Sequence, residues 1–458
     1  MKTKLIYIII AMTTTVLFWS CEEFIEVELP QSHLAGDAVF SNAATANSAL
    51  SDIYARLRDN GFSSGTQISA TLLMGSYADE YAFYGTNAEI GQFSNHTLVT
   101  SNSLLASLWN MSYSTIYAAN ALREGVEKSD AISGDDRDRL LGETLFIRAY
   151  MHFFLVNSFG DVPYVLTTNY NLNKSIYKTS QSEVYQLILD DLVQAAELLP
   201  TTYPTTERVR VNKAVVKALQ ARVNLYVGNW EEAQNAATEI INNADYSWQP
   251  DLTLTFLKDN PAIIWSLHPG MSGSNTHDAR TFAIFDGPPF KSILSADLFN
   301  AFEIGDNRKA LWIKQITNGI ETWYQPSKYK NETETALSEE YSILFRLEEQ
   351  FLIRAEARAH LGDLLGAQED LNMTRNRAGL PNTTATSTEA LLNAILEERR
   401  FELFSEQGHR WYDLKRTGRA AAVLSLIKPG WRATDLLLPI PANEIILNSN
   451  LLPQNPGY

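Results

Sequence analysis

Three stretches of the chain place aromatic rings beside amide, carboxylate or guanidinium side chains: residues 76–84, 277–282 and 319–325. A pyranose ring has flat C–H faces and hydroxyl edges, so a site for it combines exposed aromatic planes with polar groups. Aromatic rings suit this task because they offer a large contact area with few torsions to freeze. The alternative is that these rings are buried beneath loops. The candidate stacking rings are Tyr77, Tyr81, Phe83, Tyr84, Trp323 and Tyr324, and the candidate polar groups at their edges are Asp79, Asn87, Asn95 and Arg280.

Paired carboxylates raise the possibility of glycoside hydrolysis, which needs two carboxyl groups about 5–10 Å apart around one bond. Glu348 and Glu349 are adjacent in the sequence, as are Glu397 and Glu398. Adjacent residues on a helix point about 100° apart and do not face one substrate bond. An ordinary solvated helix face accounts for these pairs, and we expect no enzymatic activity. A glycoside hydrolase stays open as an alternative.

Other motifs with chemical potential are weak. The stretch GMSGS at residues 270–274 differs from a G-x-S-x-G nucleophile elbow because its second glycine is displaced. His268 and His277 lie nine residues apart, which is not the spacing of a common metal site. No glycine-rich phosphate loop or dinucleotide fingerprint occurs. We therefore expect neither a metal nor a cofactor.

Cys21 is the only cysteine, and it follows a start typical of an exported protein. Lys2 and Lys4 precede an apolar stretch over residues 5–20 that is too short to span a bilayer permanently. We predict that residues 1–20 are a cleaved signal and that Cys21 becomes a lipidated N-terminus, which anchors the protein to the membrane. An ordinary signal with an incidental cysteine is the alternative.

The composition limits the partners that the chain can have. Its formal net charge is −16, and loss of the two signal lysines would bring it to about −18. Because a surface this acidic repels phosphate backbones, we expect no nucleic-acid partner. Once Cys21 is modified, no thiol is left for a disulfide, a cysteine-ligated zinc ion or a cysteine nucleophile.

The elements that must position the candidate residues are mostly helices. Apolar residues recur every fourth position over residues 137–158, and a Gly-Asp-Val-Pro stretch ends the pattern. Further helices are predicted from about 212 to 227 and from Trp230 onward, with weaker candidates at 43–58 and 108–128. The short connection at Gly228 requires its two helices to pack antiparallel.

This pair of helices has an echo later in the chain. Ala221, Gly228 and Ala233 share their spacing with Ala355, Gly362 and Ala367, a pattern typical of tetratricopeptide (TPR) repeats. Two clear copies are too few for a regular array. The predicted fold class is mainly α, a TPR-like helix-turn-helix scaffold with few short strands. It carries long irregular loops, the main ones being residues 75–97, 266–290 and 317–336.

Several segments together resemble the SusD/RagB family, the surface glycan-binding lipoproteins of Bacteroidetes. The strongest are ERRFEL at 398–403 and GHRWYDLKR at 408–416. The occurrence of all the segments in the same order as in the family is more specific than any single segment. The others are GETLFIRAY at 142–150, FGDVP at 159–163, LYVGNW at 225–230, RLEEQFLIRAEA at 346–357, NRAGL at 376–380, LPIP at 438–441 and QNPGY at 454–458. Gln407 departs from the family pattern, where Glu is common, and we expect it to affect only a structural hydrogen bond.

The resemblance implies a division into a signal peptide (1–20), a SusD-like N-terminal half (21–228) and a RagB/SusD-like C-terminal half (229–458) that pack as one unit. It implies an outer-membrane lipoprotein, facing outward, that binds oligosaccharide or polysaccharide and passes it to a SusC-like TonB-dependent barrel. The family's ligand surface lies after the first helix and in loops of the second half, where the candidate rings are. Peptide binding, as in some RagB-like proteins, and a purely structural lipoprotein are the alternatives.

The most recognisable motifs contain residues that suit a role in folding. Glu398, Arg399, Glu402 and Arg410 have the types and spacing of an ion-pair network that ties the last helices together. Glu406 and Arg410 lie four apart, a spacing that supports a helix. We therefore expect the binding residues in the less recognisable loops.

Overall fold

The computed structural model describes residues 36–458, and within them the mainly α prediction is confirmed. The predicted signal peptide and Cys21 lie outside the described residues. Eleven helices of eight or more residues form the scaffold of this part. They are α1 (Ala43–Asp59), α2 (Ala88–Asn95), α3 (Ser103–Lys128), α4 (Gly134–Phe159), α5 (Gln181–Leu198), α6 (Lys213–Val227), α7 (Trp230–Ile241), α8 (Leu347–Leu361), α9 (Leu364–Arg377), α10 (Thr388–Glu402) and α11 (His409–Arg416).

Shorter helical segments occur in the connections. They are Gly36–Val39, Ala70–Met74, Gly75–Tyr77, Tyr170–Asn173, His277–Phe282, Ala296–Ala301, Asn307–Leu311, Ala420–Leu424, Ala433–Leu436, Ala442–Leu447 and Ser449–Leu451. The strands are β1 (Tyr81–Phe83), β2 (Ile263–Leu267), β3 (Ser292–Leu294), β4 (Ile313–Thr317), β5 (Thr322–Pro326) and β6 (Ser342–Arg346). The three stretches predicted as long irregular loops therefore each contain short regular elements, a correction that matters for the site.

The predicted helix-turn-helix pairs are confirmed at both copies of the echo. Asn212 caps α6, since its side chain accepts a hydrogen bond from the Val215 amide, and Gly228 ends it with φ of 79°. Gly362 ends α8 with φ of 86°, and the chain turns into α9. A left-handed backbone at these turns favours glycine.

The helices from α3 to α10 pack one against the next along the chain, including α7 against α8 across a long insertion. Small residues line that contact: Ala221 of α6, Ala233 and Ala237 of α7, and Ala357 of α8 share one buried cluster. The main core surrounds α4, which is buried along most of its length. Trp265 of β2 packs edge-on against Phe146 and Tyr150, so the second half of the chain enters the core of the first.

Two separate antiparallel sheets complete the described part of the fold. The two-stranded sheet pairs β2 with β6, and both strands are fully buried. The four-stranded sheet has the order β1-β3-β5-β4, so a strand from the beginning of the chain joins three from the second half.

The predicted polar network exists, but it reaches far beyond the last helices. Glu402 accepts hydrogen bonds from the guanidinium groups of Arg308, Arg346 and Arg377, which come from three different segments. Every one of these side chains is almost completely buried. The network therefore connects the end of α10 to β6, α9 and the segment before β4.

The remaining network residues also bind distant partners. Glu398 accepts from Arg308, and Arg399 donates to Asp413. The expectation of a solvated helix face is therefore wrong for Glu348, Glu349 and Glu398, which are buried and ion-paired with arginines. It holds only for Glu397, which is exposed. The predicted pairing of Glu406 with Arg410 is wrong: Glu406 lies before α11 and binds Lys328 and Arg346, whereas Arg410 binds Asp79. Helical spacing does not apply to Glu406 because α11 begins only at His409.

Gln407 has the structural role expected of it. Its Nε2 donates to the Leu344 carbonyl at 2.7 Å, and its Oε1 accepts from Tyr150 Oη at 3.0 Å. Both contacts are buried, so the amide connects β6 to α4.

Candidate functional site

The four-stranded sheet brings together the two aromatic segments that lie farthest apart in the sequence. Tyr81 in β1 pairs with Leu294 in β3, and Leu294 also pairs with Tyr324 in β5. Residues 81–84 and 323–324 are thus held two strands apart on one sheet, although about 240 positions separate them. The prediction that both segments contribute to one region of the molecule agrees with this topology.

Three of the six candidate rings are buried, and the sequence-based expectation of an exposed platform is corrected for them. Tyr77 lies in the core, 3.9 Å from the His96 ring, and its hydroxyl donates to the Asp435 carbonyl. Tyr81 is also buried, stacked on Phe282 at 5.1 Å between ring centroids. Neither ring presents a face to a ligand.

Trp323 is buried beneath the segment that joins the helix His277–Phe282 to β3. It forms a small apolar cluster with Ile284 and Ile293. Gly287 of the same segment lies so close that a Cβ atom there would stand 1.8 Å from the indole ring. The indole therefore packs directly against Ile284 and Gly287 of this segment.

Asp79 is also corrected from a ligand group to an ion-pair partner. It is buried, and its two carboxylate oxygens accept from Arg410 at 2.7 Å and from Arg400 at 3.0 Å. Burial alone would raise the pKa of Asp79, but its hydrogen bonds and proximity to Arg410, together with the charge of Arg400, lower it below the ordinary value. The group stays ionised and is fully used inside the protein.

The other candidates reach the surface to different degrees. Tyr84 follows β1 directly and is 50% exposed, while Phe83 is half-buried. Tyr324 is half-buried and stacks on Phe299 with 4.0 Å between ring centroids. These three side chains keep part of their surface accessible to solvent.

The polar candidates Asn87, Asn95 and Arg280 are exposed. Asn87 caps α2, since its Oδ1 accepts from the amides of Glu89 and Ile90, which leaves the Nδ2 group available to a ligand. Arg280 donates through Nε to the Glu332 carbonyl at 3.2 Å, so the guanidinium is anchored on one side only.

The structure adds two rings that the sequence reasoning missed. Phe285 is 80% exposed and Phe290 is 78% exposed, both on the segment that covers Trp323. The Tyr84 amide donates to the Lys291 carbonyl at 3.1 Å, which places Tyr84 beside the end of this segment. We call Tyr84, Phe285 and Phe290 the aromatic rim. Their signal was present as two phenylalanines that flank the stretch DGPP within a polar loop.

Hydrogen bonds hold the segment that carries Phe285 and Phe290 against the rest of the protein. Lys291 donates to the carbonyls of Thr281 and Ala283, and the Ile284 amide donates to Gln325 Oε1 at 2.7 Å. Burial lowers the pKa of Lys291. These hydrogen bonds hold both ends of the segment, at Ile284 and Lys291, which lowers the ordering cost for a ligand that stacks on the rings between them.

The rim and its neighbours can bind by stacking and hydrogen bonding. Among residues 36–458, no group of three or more histidine, cysteine or acidic side chains is arranged to hold a metal ion. Within the same residues, no helix combines the length and the apolar character that a bilayer crossing requires.

Two protein-family models match successive parts of the chain. A family model described as starch-binding and associating with the outer membrane matches residues 23–225, and a SusD family model matches residues 309–458. SusD-like protein P2 of Formosa agariphila is 26% identical over the full length of both chains.

Solved structures share the fold along nearly the whole chain. A SusD superfamily protein from Bacteroides vulgatus superposes with a TM-score of 0.81 at 21% identity, and covers 91% of this chain and 99% of its own. A laminarin-binding SusD-like protein superposes with a TM-score of 0.76 at 26% identity, covering 91% of this chain and 100% of its own. Two family models that match successive parts of the sequence, a relative matched from end to end and these superpositions lead to one conclusion: the chain belongs to the SusD/RagB family.

Proposed function

We propose that this protein binds oligosaccharide or polysaccharide through the aromatic rim, as a lipoprotein of the outer membrane that captures glycan without transforming it. The observation that carries the proposal is the exposure of Tyr84, Phe285 and Phe290 on a firmly supported segment. The family membership and the laminarin-binding relative support a carbohydrate as the ligand. Asn87 and Arg280 supply hydrogen-bonding groups for hydroxyls in the same part of the sequence.

The size of the stacking contribution follows from the exposed areas. An aromatic ring has about 200 Å² of surface, and a sugar that covers half of the exposed part buries about 50–80 Å². At about 25 cal/mol per Å², each ring contributes about 1–2 kcal/mol. Removal of one ring should therefore weaken binding about tenfold to thirtyfold.

The test is isothermal titration of the purified domain with a panel of polysaccharides and with a peptide pool. We expect a glycan to bind, Tyr84→Ala and Phe290→Ala each to weaken it, and the double variant to weaken it further. Tyr170→Ala is the matched control, because this tyrosine is 74% exposed on another segment. Unchanged affinity in the double variant would refute the rim as the binding site, and binding of peptides alone would favour the peptide-binding alternative.

The proposal that the protein binds without catalysis is supported by the state of the paired carboxylates that suggested hydrolysis. Glu348, Glu349 and Glu398 are buried and ion-paired with arginines, so they do not flank a bond of a ligand at the aromatic rim. We expect no new reducing ends after long incubation with a bound glycan. Their release, and loss of that release on substitution of a carboxylate, would overturn this part of the proposal.

Membrane anchoring and transfer to a partner complete the proposed role. A lipid on Cys21 would keep the protein at the membrane, since each buried methylene contributes about 0.8 kcal/mol and several chains make release negligible. A SusC-like TonB-dependent barrel would receive the glycan. We expect Cys21→Ala to move the protein from the membrane fraction to the soluble fraction and to abolish growth on the glycan. Membrane retention and normal growth of that variant would refute the anchoring role.

A further inference from the structure

A cavity of about 300 Å³ lies beside α1, and none of the three rim residues lines it. It is bounded by α1, by the segment 205–210 before α6, and by the end of β2 with the turn that follows. The lining residues on which the proposal depends are Ala55, Arg58, Val209, Arg210, Leu267 and His268. Its volume is at the lower end of the range of small-molecule sites, about 300–1,000 Å³.

Two guanidinium groups in the lining keep a donor without a protein acceptor. Arg58 binds Asp59 through Nε and Nη2, and no acceptor for its Nη1 occurs among the described residues. Arg210 binds Glu143 and Asn47 through Nε and Nη2, and its Nη1 likewise has no acceptor in the described part of the chain. Each arginine is therefore fixed in place yet has N–H groups left for a ligand.

His268 adds a third donor. Its Nδ1 accepts the Gly270 amide at 3.0 Å, which places the proton of the neutral ring on Nε2. Tyr341 packs edge-on against the imidazole at 5.2 Å between ring centroids. The ring is thus oriented, and its Nε2–H has no acceptor among residues 36–458.

The acids around the cavity are already engaged. Glu143 also accepts from Arg139 and from Tyr54 Oη, and Asp59 is additionally bound by His277 at 3.1 Å. Glu207, which acts electrostatically on His268, accepts from Tyr341 Oη. None of the described residues that line the cavity is acidic, although the whole chain carries a formal net charge of −16.

Guanidinium N–H groups recognise oxyanions with charge-assisted hydrogen bonds, the strong class of such bonds. The apolar side chains of Ala55, Val209 and Leu267 line the same space and suit the C–H face of a ring. We propose that the cavity between α1, residues 205–210 and the end of β2 binds the oxyanion of an acidic sugar, a carboxylate or a sulfate ester, through Arg58, Arg210 and His268. The sugar identity of the ligand rests on the proposed glycan-binding function, whereas the anion site rests on this geometry.

The experiment titrates the domain with D-glucuronate and D-glucose 6-sulfate, and separately with neutral D-glucose and inorganic sulfate. We expect at least one charged sugar to bind about tenfold or more tightly than D-glucose and than sulfate alone. The stronger of the two charged probes identifies the source of the oxyanion. Equal affinities for charged and neutral sugars would overturn the proposal, and equal affinities for charged sugar and inorganic sulfate would overturn its sugar component.

The variants are chosen so that none of them removes one partner of a buried ion pair. The Arg58–Asp59 pair, which Arg58→Gln removes, is partly exposed. Arg58→Gln should weaken the charged sugar about tenfold or more, while Arg56→Gln, on the same helix and paired with Asp52, should leave it unchanged within about twofold. Arg210 is left intact because its loss would strand the buried Glu143 charge. If Arg58→Gln lowers the thermal midpoint, His268→Gln provides the second variant. Unchanged affinity in the folded variant would overturn the proposal.

The two functional proposals fail in different ways. Binding of a neutral polysaccharide that depends on Tyr84, without binding of charged sugars, overturns the cavity and leaves the rim intact. Binding of a charged sugar that depends on Arg58, with no effect of the rim variants on any glycan, supports the cavity and refutes the rim.

Discussion

Glu402→Gln is predicted to destabilise the whole protein strongly, because this carboxylate joins segments that lie far apart in the sequence. Its Oε1 accepts from Arg346 at 2.6 Å, its Oε2 accepts from Arg308 at 3.0 Å, and Arg377 also donates to it. Its own backbone carbonyl accepts from Lys328. All of these groups are buried, so water cannot replace a lost partner.

The magnitude follows from the number of bonds lost. Glutamine keeps the shape of the side chain and one acceptor oxygen, but it turns an NH₂ group toward a guanidinium and removes the charge. Hydrogen bonds to charged groups contribute about 1.5–3 kcal/mol each, and removal of one partner from a buried ion pair costs about 3–5 kcal/mol. We expect the free energy of unfolding to fall by about 3–5 kcal/mol.

The measurement is urea unfolding at pH 7, followed by far-ultraviolet circular dichroism. Glu397→Gln is the matched control, because this side chain is 52% exposed and lies 3.5 Å from Arg400 on the same helix. The control should change stability by no more than about 0.5 kcal/mol. If Glu402→Gln unfolds within about 0.5 kcal/mol of the unmodified protein, the network does not hold the fold and the reasoning is refuted.

The pH dependence provides a second check of the same prediction. Burial alone would raise the pKa of Glu402, but the charges of Arg377, Arg346 and Arg308 lower it far below the ordinary value of 4.5. A depressed folded-state pKa contributes stability that is present above the unfolded value and is lost as the pH falls toward the folded one. The difference between Glu402→Gln and the unmodified protein should therefore narrow below about pH 4.

Three further predictions concern other residues. Gly362→Ala should lower the free energy of unfolding in urea by about 1 kcal/mol, and Gly362→Asn should lower it less. The reason is the backbone, since φ is 86° and no atom lies near enough to clash with a new side chain. Equal stability of all three proteins would contradict this explanation. Burial raises the pKa of Glu80 from 4.5 to about 8. The folded protein therefore keeps a proton on Glu80 that the unfolded chain releases, and the free energy of unfolding falls as the pH rises from about 4.5 to 8. Glu80→Gln should remove that pH dependence and be more stable at pH 8, and a destabilised variant at pH 8 would count against a neutral Glu80. Burial lowers the pKa of His152 from 6.5 to about 3, so the protein should lose stability as the pH drops from 6.5 toward 3. In thermal unfolding, His152→Gln should lose less stability over this pH range. An equally steep loss in the variant would show that the histidine does not cause it.

Local patterns in the sequence predicted the helical scaffold well. The periodicity of residues 137–158 and the stop at Gly160 correspond to α4, and the glycine at each predicted turn adopts a left-handed conformation. Helix periodicity and glycine turns are local properties, so neighbouring residues contain enough information to predict them.

Partner identity, by contrast, depended on the tertiary structure. Glu398, Glu402 and Arg410 were recognisable as a polar cluster, but Glu398 and Glu402 meet Arg308 some ninety positions away and Arg410 meets Asp79 across 331 positions. Residue type and helical spacing do not specify such partners, because any buried charge of opposite sign could satisfy the same group.

The same distinction explains the candidate site. The sequence by itself determined that residues 76–84 and 319–325 are rich in rings. The strand pairing of the folded protein places parts of both stretches, β1 and β5, on one sheet. Only the tertiary structure decided which rings are exposed. Phe282 stacks on Tyr81 and Gly287 packs against Trp323, whereas Tyr84 is half-exposed at the surface. An aromatic ring is stabilised by burial of its surface, whether against the protein core or against a ligand. Whether a ring is exposed therefore depends on which other segments of the folded chain pack against it.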